Sequence, residues 1–140
     1  MTTERAFVDT NVWVYAVDTA DPVKRARALE VLAPSDASNL VVSTLVLIEF
    51  YVVVTRKLAA PLPGDAAQAM VDEMARLPVV PADSDLVIAA MAGSREWRIS
   101  PWDALIVRAA QISGCGRILS EDLTHGAVYG SVRIENPFLT

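Results

Sequence analysis

Residues 5–17 read "RAFVDTNVWVYAV", an apolar segment interrupted by three consecutive polar side chains. Residues 6–8 predict a short buried strand that ends near Asp9. We expect Thr10 and Asn11 to shape the turn that follows this strand. Because ligands of open α/β sheets bind at the carboxyl ends of the strands, Asp9 is a candidate site residue.

Length and composition predict one folded domain. The chain has 140 residues, which is typical of a single domain spanning residues 1–140. Hydrophobic residues make up 53% and charged residues 21%, which excludes the composition of a disordered chain. Cys115 is the only cysteine, so neither an internal disulfide nor a cysteine-based zinc cluster can form. We therefore expect a protein of the reducing cytoplasm.

The sequence predicts neither a signal peptide nor a membrane span. Its start, "MTTERAFVDTNV", lacks a basic region followed by a long apolar one. The most apolar region, residues 40–54, is interrupted by Ser43, Thr44 and Glu49 and is shorter than about 20 residues. The formal net charge of -5 argues against general nucleic-acid binding, unless bound cations offset several acids.

Short β-rich segments alternate with helical ones, which predicts an α/β fold with a mostly parallel sheet of four to five strands. The predicted strands are residues 6–8, 39–43, 78–83, 117–120 and 131–137. The predicted helices are residues 21–33, 44–60, 63–77, 84–97 and 100–114. Among the helix starts, Asp21 is the expected N-cap before Pro22, Asp65 and Gln68 resemble a capping box, and Ser100-Pro101 is a strong start signal.

Four acids lie at positions that make them candidate site residues. Asp9 ends the first predicted strand and Asp122 follows the fourth, so both lie on one rim if those strands are parallel. Glu49 and Asp103 align with apolar residues along their helices, where an unpaired charge is costly. Those apolar neighbours are Leu45, Val46, Val52 and Val53 for Glu49, and Ile106, Val107 and Ala110 for Asp103.

Each acid also has a purely structural explanation. Asp103 fits the acidic position of a capping box with Ser100. Glu49 fits a buried ion pair with Arg56 or Arg108. Asp9 fits a turn at the end of a strand, and Asp122 or Glu121 fits a solvated loop. Their joint placement favours a shared site. Carboxylate oxygens without a histidine or cysteine ligand set fit Mg²⁺ and phosphoryl chemistry better than zinc chemistry.

The same acids lie in four segments that occur in a characteristic order: "FVDTNVWVYA" (7–16), "VVSTLVLIEFYVVVTRK" (41–57), "SPWDALIVRAA" (100–110) and "RILSEDL" (117–123). Together they resemble the PIN domain family, and most closely its VapC-type toxin ribonucleases. The resemblance implies a three-layer α/β/α sandwich around the parallel sheet. It also implies endonuclease activity on RNA that depends on Mg²⁺ or Mn²⁺, with one or two ions.

The resemblance assigns roles to particular residues. It implies that Asp9, Glu49 and Asp103 form an acidic triad that binds the metal and carries catalysis, with Asp122 as the fourth acid. Glu121 competes with Asp122 for that fourth role. Supporting residues of the metal pocket would be Thr10, Asn11 and Ser120.

The implied reaction is in-line attack of a metal-activated water on an RNA phosphodiester, leaving a 5′-phosphate and a 3′-hydroxyl. Proteins of this type are inhibited by a small VapB-like antitoxin whose C-terminal segment enters the acidic groove, and they commonly form homodimers. The resemblance therefore implies an RNA substrate, a cognate antitoxin and a homodimer, and no membrane partner.

Other residues that could bind RNA or react chemically are better explained by structural roles. The basic clusters at 24–27, 56–57 and 95–98 are typical of solvated helix faces. Trp97 and Trp102 offer base-stacking surfaces, but we expect both to pack in the core. We expect a structural or incidental role for His125 and an unreactive thiol at Cys115.

Rival functions make different demands on the sequence. A haloacid-dehalogenase-like phosphatase requires a second aspartate at the position of Asn11. A response-regulator receiver requires a lysine after a late strand, whereas Lys24 and Lys57 both lie in predicted helices. The sequence leaves open a non-catalytic PIN-like module that binds RNA or a protein, and a housekeeping nuclease without an antitoxin.

Overall fold

The computed structural model describes residues 4–33 and 39–139. Its six strands are β1 (Ala6–Val8), β2 (Leu40–Ser43), β3 (Val79–Val80), β4 (Arg117–Leu119), β5 (Val128–Tyr129) and β6 (Val132–Glu135). Its helices are α1 (Thr10–Tyr15), α2 (Pro22–Val31), α3 (Thr44–Arg56), α4 (Gly64–Met74), α5 (Ser84–Trp97) and α6 (Pro101–Ile112).

The strands form one sheet in the order β3-β2-β1-β4-β6-β5. Every neighbouring pair is parallel except β5 and β6, which are antiparallel. Strand β1 lies near the middle, with Phe7 paired to Val41 on one side and to Ile118 on the other. Because β1 and β4 are parallel, Val8 and Leu119 bring their carboxyl ends to the same edge of the sheet.

Helices cover both faces of the sheet. Phe7 and Ile118 are fully buried in the larger core with α3, α4, α5 and α6. Val8 points to the opposite face, where it packs with Val12 of α1 and Ala28 of α2. This alternation along one strand confirms the three-layer α/β/α sandwich. A fully buried side chain of this kind contributes about 1.5–3 kcal/mol through removal of apolar surface from water.

The helix ends agree with most of the predicted caps. Asp21 caps α2 by accepting a hydrogen bond from the Lys24 N–H, and Ser100 caps α6 by accepting one from the Asp103 N–H. The capping box predicted at Asp65 is wrong, because Pro63 is the N-cap of α4 and makes no side-chain bond there. The carboxylate of Asp65 instead accepts from the adjacent Ala66 N–H.

Three predictions about the elements need correction. The sheet has six strands rather than four to five, since the two-residue β5 forms a hairpin with β6 that is too short for a periodic signal. Helix α3 ends at Arg56, earlier than residue 60. Thr10 and Asn11 do not form a turn but begin α1, which Asp9 caps. The β-branched and aromatic residues of "TNVWVY" favour a strand, and the cap and tertiary packing override that preference.

No helix in residues 4–33 and 39–139 combines the length and apolar character needed to cross a membrane.

Candidate active site

Asp9 is held rigidly at the carboxyl end of β1. Its backbone is extended and its side chain caps α1, with Oδ1 accepting a 2.8 Å hydrogen bond from the Thr10 N–H. Oδ2 accepts from the Ser120 hydroxyl at 2.7 Å and from the Asn11 amide at 3.3 Å. Only 6% of the residue is exposed. The orientation of this carboxylate is therefore set by neighbours on α1 and after β4.

Burial raises the pKa of the Asp9 carboxyl above its ordinary value, because the charged form loses hydration. Hydrogen bonds from Ser120 and Thr10 act in the opposite direction. The negative charges of Asp122 and Asp103 raise the pKa further. Asp9 thus lies within electrostatic reach of two other acids, although those acids are far away in sequence.

Glu49 approaches from α3, between its N-cap Ser43 and its last residue Arg56. Its pKa is also raised, first by partial burial and then by the charges of Asp9 and Asp122. The residue is nevertheless exposed, which departs from the fully apolar environment expected from its helical neighbours. Its alternative role as a buried ion-pair partner of Arg56 or Arg108 is wrong, since Glu49 is exposed and pairs with neither arginine among the described residues, and Arg108 contacts Glu96 instead.

Asp103 lies in the first turn of α6 and is only partly exposed. Its backbone N–H donates to the Ser100 hydroxyl at 3.0 Å. The reciprocal bond from the Ser100 N–H to the Asp103 carboxylate, which completes a capping box, is not formed among the described residues. The cap therefore explains the position of the residue but leaves its carboxylate available to the site.

Asp122 lies beyond β4, on the loop that begins at Ser120. Its Oδ2 accepts a 3.1 Å hydrogen bond from the Asn11 amide, and its N–H donates to the Ser120 hydroxyl at 3.1 Å. Ser120 is fully buried, whereas Asp122 is exposed at the rim. Asn11 and Ser120 each bond to both Asp122 and Asp9, so a single side chain links the two acids at each of these positions.

Glu121, the competing fourth acid, is engaged by side chains other than the four acids. Its carboxylate contacts the ammonium of Lys24 and the hydroxyl of Tyr15. Its N–H donates to Oδ1 of Asn11 at 3.1 Å.

The four predicted acids line a single cavity of about 300 Å³. Ser43 and Trp102 also contribute to its wall, and the other lining residues are apolar: Leu45, Val46, Ala82, Leu86, Leu105, Ile106 and Ala109. None of the described lining residues is basic. The site therefore gathers negative charge in a partly apolar hollow, and the positive charge of Lys57, the C-cap of α3, offsets only part of it at Glu49.

As the side chains stand, no group of three or more acids, histidines or cysteines is close enough to hold one ion in the part of the chain that the structure describes. The donor set itself fits a hard divalent cation, because all four side chains offer carboxylate oxygens. Mg²⁺ usually keeps several waters and takes only one or two carboxylates directly. A cation would also offset the repulsion that raises the pKa values of Asp9 and Glu49.

The sequence profile of the PIN domain family matches residues 6–130, which is most of the chain. The chain belongs to the PIN domain family. No curated protein matches it by sequence.

Solved structures with the fold of this PIN domain include a toxin–antitoxin complex from Klebsiella pneumoniae, which is 17% identical, with a TM-score of 0.66 over 95% of this chain and 98% of that one. DNA-bound VapBC from Salmonella typhimurium is 20% identical, with a TM-score of 0.65 over 96% and 99%. VapC20 from Mycobacterium tuberculosis, a toxin that cleaves the sarcin-ricin loop, is 20% identical, with a TM-score of 0.62 over 84% and 89%. At these identities the likeness shows a shared fold.

Two aromatic predictions have different outcomes in this PIN domain. Trp97 is partly buried and packs beneath the Arg108 guanidinium, 4.5 Å from the ring centroid, as expected for a structural residue. Trp102 does not pack in the core: it is 73% exposed and lies in the wall of the acidic cavity. His125 lies outside that cavity, and its Nδ1 accepts from the Asn136 N–H.

A larger cavity of about 530 Å³ lies elsewhere, between α1, α3 and α4. Of its described lining residues only Glu73 is charged, so it offers a single carboxylate rather than the cluster of acids that would hold a divalent cation. The smaller acidic cavity is the candidate active site of this PIN domain because it joins the carboxyl edge of the sheet to four acids.

The contacts of Tyr15 and Lys24 with Glu121 were not predicted. The sequence predicts a solvated basic cluster that includes Lys24 and an apolar segment that includes Tyr15. Glu121 is 97 positions from Lys24 and 106 from Tyr15. Neither spacing nor composition signals a contact over such a separation.

Proposed function

We propose that this PIN domain is a metal-dependent endoribonuclease and the toxin component of a VapBC-type toxin–antitoxin system. The observation that carries the proposal is the convergence of Asp9, Glu49, Asp103 and Asp122 on one cavity at the carboxyl edge of the sheet. Two of these carboxyls have raised pKa values because of burial and mutual repulsion. Carboxylates held together in this way destabilise the folded protein unless a bound cation offsets their charge, so the cluster indicates a functional site.

The four acids would hold one or two Mg²⁺ or Mn²⁺ ions. When bound, the ion activates a water and offsets the negative charge that develops on the phosphodiester. Asp9 is kept in one orientation by Ser120 and the Thr10 N–H, so it requires little rearrangement to bind. Glu49 lines the same cavity and is exposed, so its side chain is free to move toward a bound ion. The products would be a 5′-phosphate and a 3′-hydroxyl.

RNA can bind to this acidic chain only if a bound cation offsets the negative charge of the site. The formal net charge is -5 and the cavity wall carries four carboxylates, so an RNA phosphate is repelled from the metal-free site. Bound divalent cations reverse that local charge. We therefore expect RNA binding and cleavage to depend on the same ions.

A VapB-like antitoxin and a homodimer are part of the proposal. Their support is the fold shared with a toxin–antitoxin complex from Klebsiella pneumoniae and with VapBC from Salmonella typhimurium, together with the family motifs. Co-expression with the product of a short neighbouring reading frame, followed by affinity purification and light scattering, measures both assemblies. An isolated monomer that no such product binds or inhibits would contradict the toxin assignment.

Cleavage of RNA is the direct test. Purified protein is incubated with single-stranded and structured RNA in Mg²⁺, Mn²⁺ or EDTA, beside Asp9→Asn and Asp103→Asn. Asp72→Asn is a matched control, because Asp72 is an exposed acid of α4 outside the cavity. We expect cleavage by wild type and the control in either metal, and none in EDTA or by the two site variants.

Cleavage that persists in EDTA, or in both site variants, would contradict the proposed function. If the wild type binds RNA but cleaves none of the substrates in either metal, the non-catalytic module becomes the better account. Cleavage without an inhibitory antitoxin favours a housekeeping nuclease.

A further inference from the structure

Three side chains outside the cavity form a cluster that we name the Glu121 clamp: Tyr15, Lys24 and Glu121. The Tyr15 hydroxyl donates a 2.7 Å hydrogen bond to Oε1 of Glu121. The Lys24 ammonium donates to Oε2 at 2.5 Å and to the Tyr15 hydroxyl oxygen at 3.2 Å. Both carboxylate oxygens of Glu121 are therefore engaged, and none of the three residues lines the candidate active site.

The clamp joins separate parts of the chain. Tyr15 is the last residue of α1, Lys24 lies in the first turn of α2, and Glu121 follows β4. The Lys24 ammonium lies 4.7 Å from the centroid of the Tyr15 ring, which packs edge-on against Phe138 at 4.9 Å. The side chains of Lys24 and Glu121 are 34% and 26% exposed, so neither is fully solvated. This packing restricts the clamp more than an isolated surface ion pair.

Hydrogen bonds connect the clamp to the acids. The Glu121 N–H donates to Oδ1 of Asn11, and the amide of Asn11 donates to Oδ2 of Asp122. The Ser120 hydroxyl accepts from the Asp122 N–H and donates to Asp9. A displacement of Glu121 would therefore move the loop of residues 120–122 and the carboxylate that it presents.

We propose that Tyr15 and Lys24 are positioning residues that act through Glu121 to hold the Asp122 carboxylate at the cavity. This inference rests on the proposed function, because positioning matters through cation binding and cleavage. Without the clamp, Glu121 is an unpaired carboxylate next to Asp122, and the loop keeps only its contacts through Asn11 and Ser120.

The test uses Lys24→Met, which keeps most of the aliphatic stem, and Tyr15→Phe, which keeps the ring. Mn²⁺ affinity is measured by titration calorimetry, beside kcat and KM for RNA cleavage. Loss of a group that bonds directly to a metal ligand typically weakens metal binding about 10–100-fold. Tyr15 and Lys24 contact Glu121 rather than Asp122 itself, so we expect an effect at the lower end of that range. We expect about tenfold weaker Mn²⁺ binding and a lower kcat, with an unchanged KM for RNA. Lys24→Arg should restore part of the loss.

Arg25→Met is the matched control, since it removes one positive charge from the same helix at an exposed position outside the clamp. It should bind Mn²⁺ like the wild type. In an Asp122→Asn background, Lys24→Met should have little further effect, because its influence passes through Asp122. Circular dichroism identifies any variant that is unfolded, and the other clamp variant then gives the answer.

Wild-type Mn²⁺ affinity in both clamp variants would overturn the inference, as would a higher KM for RNA as the sole effect of Lys24→Met. Both leave the proposed function intact, provided that Asp122→Asn weakens Mn²⁺ binding. A wild-type protein that binds no Mn²⁺ would instead overturn the proposed function and this inference together.

A second inference rests on a different observation, the exposure of Trp102. This residue precedes Asp103 in the first turn of α6, lines the acidic cavity and is 73% exposed. Its indole therefore presents a large apolar surface to water beside the acids. We infer that Trp102 stacks on an unpaired base of the RNA, next to the phosphate that enters the cavity, an inference that rests on the proposed function. Aromatic stacking suits single-stranded RNA because every base has a π-face.

Fluorescence anisotropy of a labelled adenosine oligomer tests this contact in the otherwise wild-type protein with Mn²⁺ present, read within seconds of mixing, before a gel detects cleavage. Trp102→Ala should weaken binding about tenfold, and Trp102→Phe should retain most of it. Ile112→Ala is the matched control, since Ile112 is also exposed but lies at the other end of α6. Its affinity should be unchanged.

Equal RNA affinity in all these variants would overturn the stacking inference. So would a change of oligomeric state as the only effect of Trp102→Ala, because the indole would then belong to a protein interface. Weaker RNA binding in Trp102→Ala, together with no cleavage by the wild type, would support stacking while contradicting the proposed nuclease.

Discussion

The Ser120 hydroxyl donates a 2.7 Å hydrogen bond to Oδ2 of Asp9, although 111 positions separate the two residues. Both are buried, and the bond ties the carboxyl end of β1 to the residue that follows β4. Because the same hydroxyl accepts from the Asp122 N–H, it fixes two of the four acids with one atom.

Replacing this hydroxyl should impair the site more than the fold. Ser120→Ala removes a hydrogen bond to a charged group, which costs about 1.5–3 kcal/mol of stability, and frees the Asp9 carboxylate to reorient. We expect about 10–100-fold weaker Mn²⁺ binding and correspondingly slower cleavage, measured by calorimetry and a cleavage assay. Ser113→Ala, which removes a hydroxyl bonded to the Ala109 carbonyl on α6, should leave Mn²⁺ affinity unchanged. Equal affinity in wild type and Ser120→Ala would contradict the role given to this bond.

Neutralising Asp9 should stabilise the metal-free protein at neutral pH. An amide is cheaper to bury than a carboxylate and is not repelled by Asp103 and Asp122. We expect the melting temperature of Asp9→Asn to be several degrees above that of wild type in EDTA, while activity is lost. Differential scanning calorimetry measures the shift, with Asp72→Asn as the exposed control. A lower melting temperature in Asp9→Asn would mean that the lost hydrogen bonds outweigh the relieved charge.

The stability of the metal-free protein should depend on pH through Asp9 and Glu49. Both pKa values are raised from the ordinary values of 3.8 and 4.5. Since the folded state holds these protons more tightly, their stabilising contribution is complete below the ordinary values and is lost as pH rises through the folded ones. The stability of wild type, relative to Asp9→Asn/Glu49→Gln, should therefore fall between acid and neutral pH. Parallel pH profiles for the two proteins in chemical denaturation would refute this.

Mn²⁺ should stabilise the wild type and have much less effect on the site variants. A ligand that binds only the folded protein adds about 2.7 kcal/mol at one hundred times its Kd. The melting temperature should rise with Mn²⁺ in wild type and Asp72→Asn, and change much less in Asp9→Asn. An equal rise in all three proteins would place the cation outside the cavity.

Several features of the site could be predicted because they follow from local rules. Asp9 and Asp122 end or follow parallel strands, and a parallel sheet brings those ends to one edge. Glu49 and Asp103 were found because their helical neighbours are apolar. The exposure of Glu49 was not predicted, because the apolar neighbours border an open cavity rather than a closed core.

Tertiary contacts could not be read from the chain in the same way. Helix α1 was missed because "TNVWVY" has the composition of a strand, and its helical state depends on the Asp9 cap and on packing of Val12 and Val14. The clamp of Glu121 by Lys24 requires α2 to lie beside the loop after β4. Propensity and periodicity carry no information about that contact.

The central claim is that Asp9, Glu49, Asp103 and Asp122 form one divalent-cation site. Anomalous diffraction from crystals soaked in Mn²⁺ tests it most directly. We predict an anomalous peak inside the cavity within direct or single-water reach of the Asp9 carboxylate, and its loss in Asp9→Asn crystals. A wild-type crystal with Mn²⁺ bound elsewhere and none in this cavity would contradict the claim.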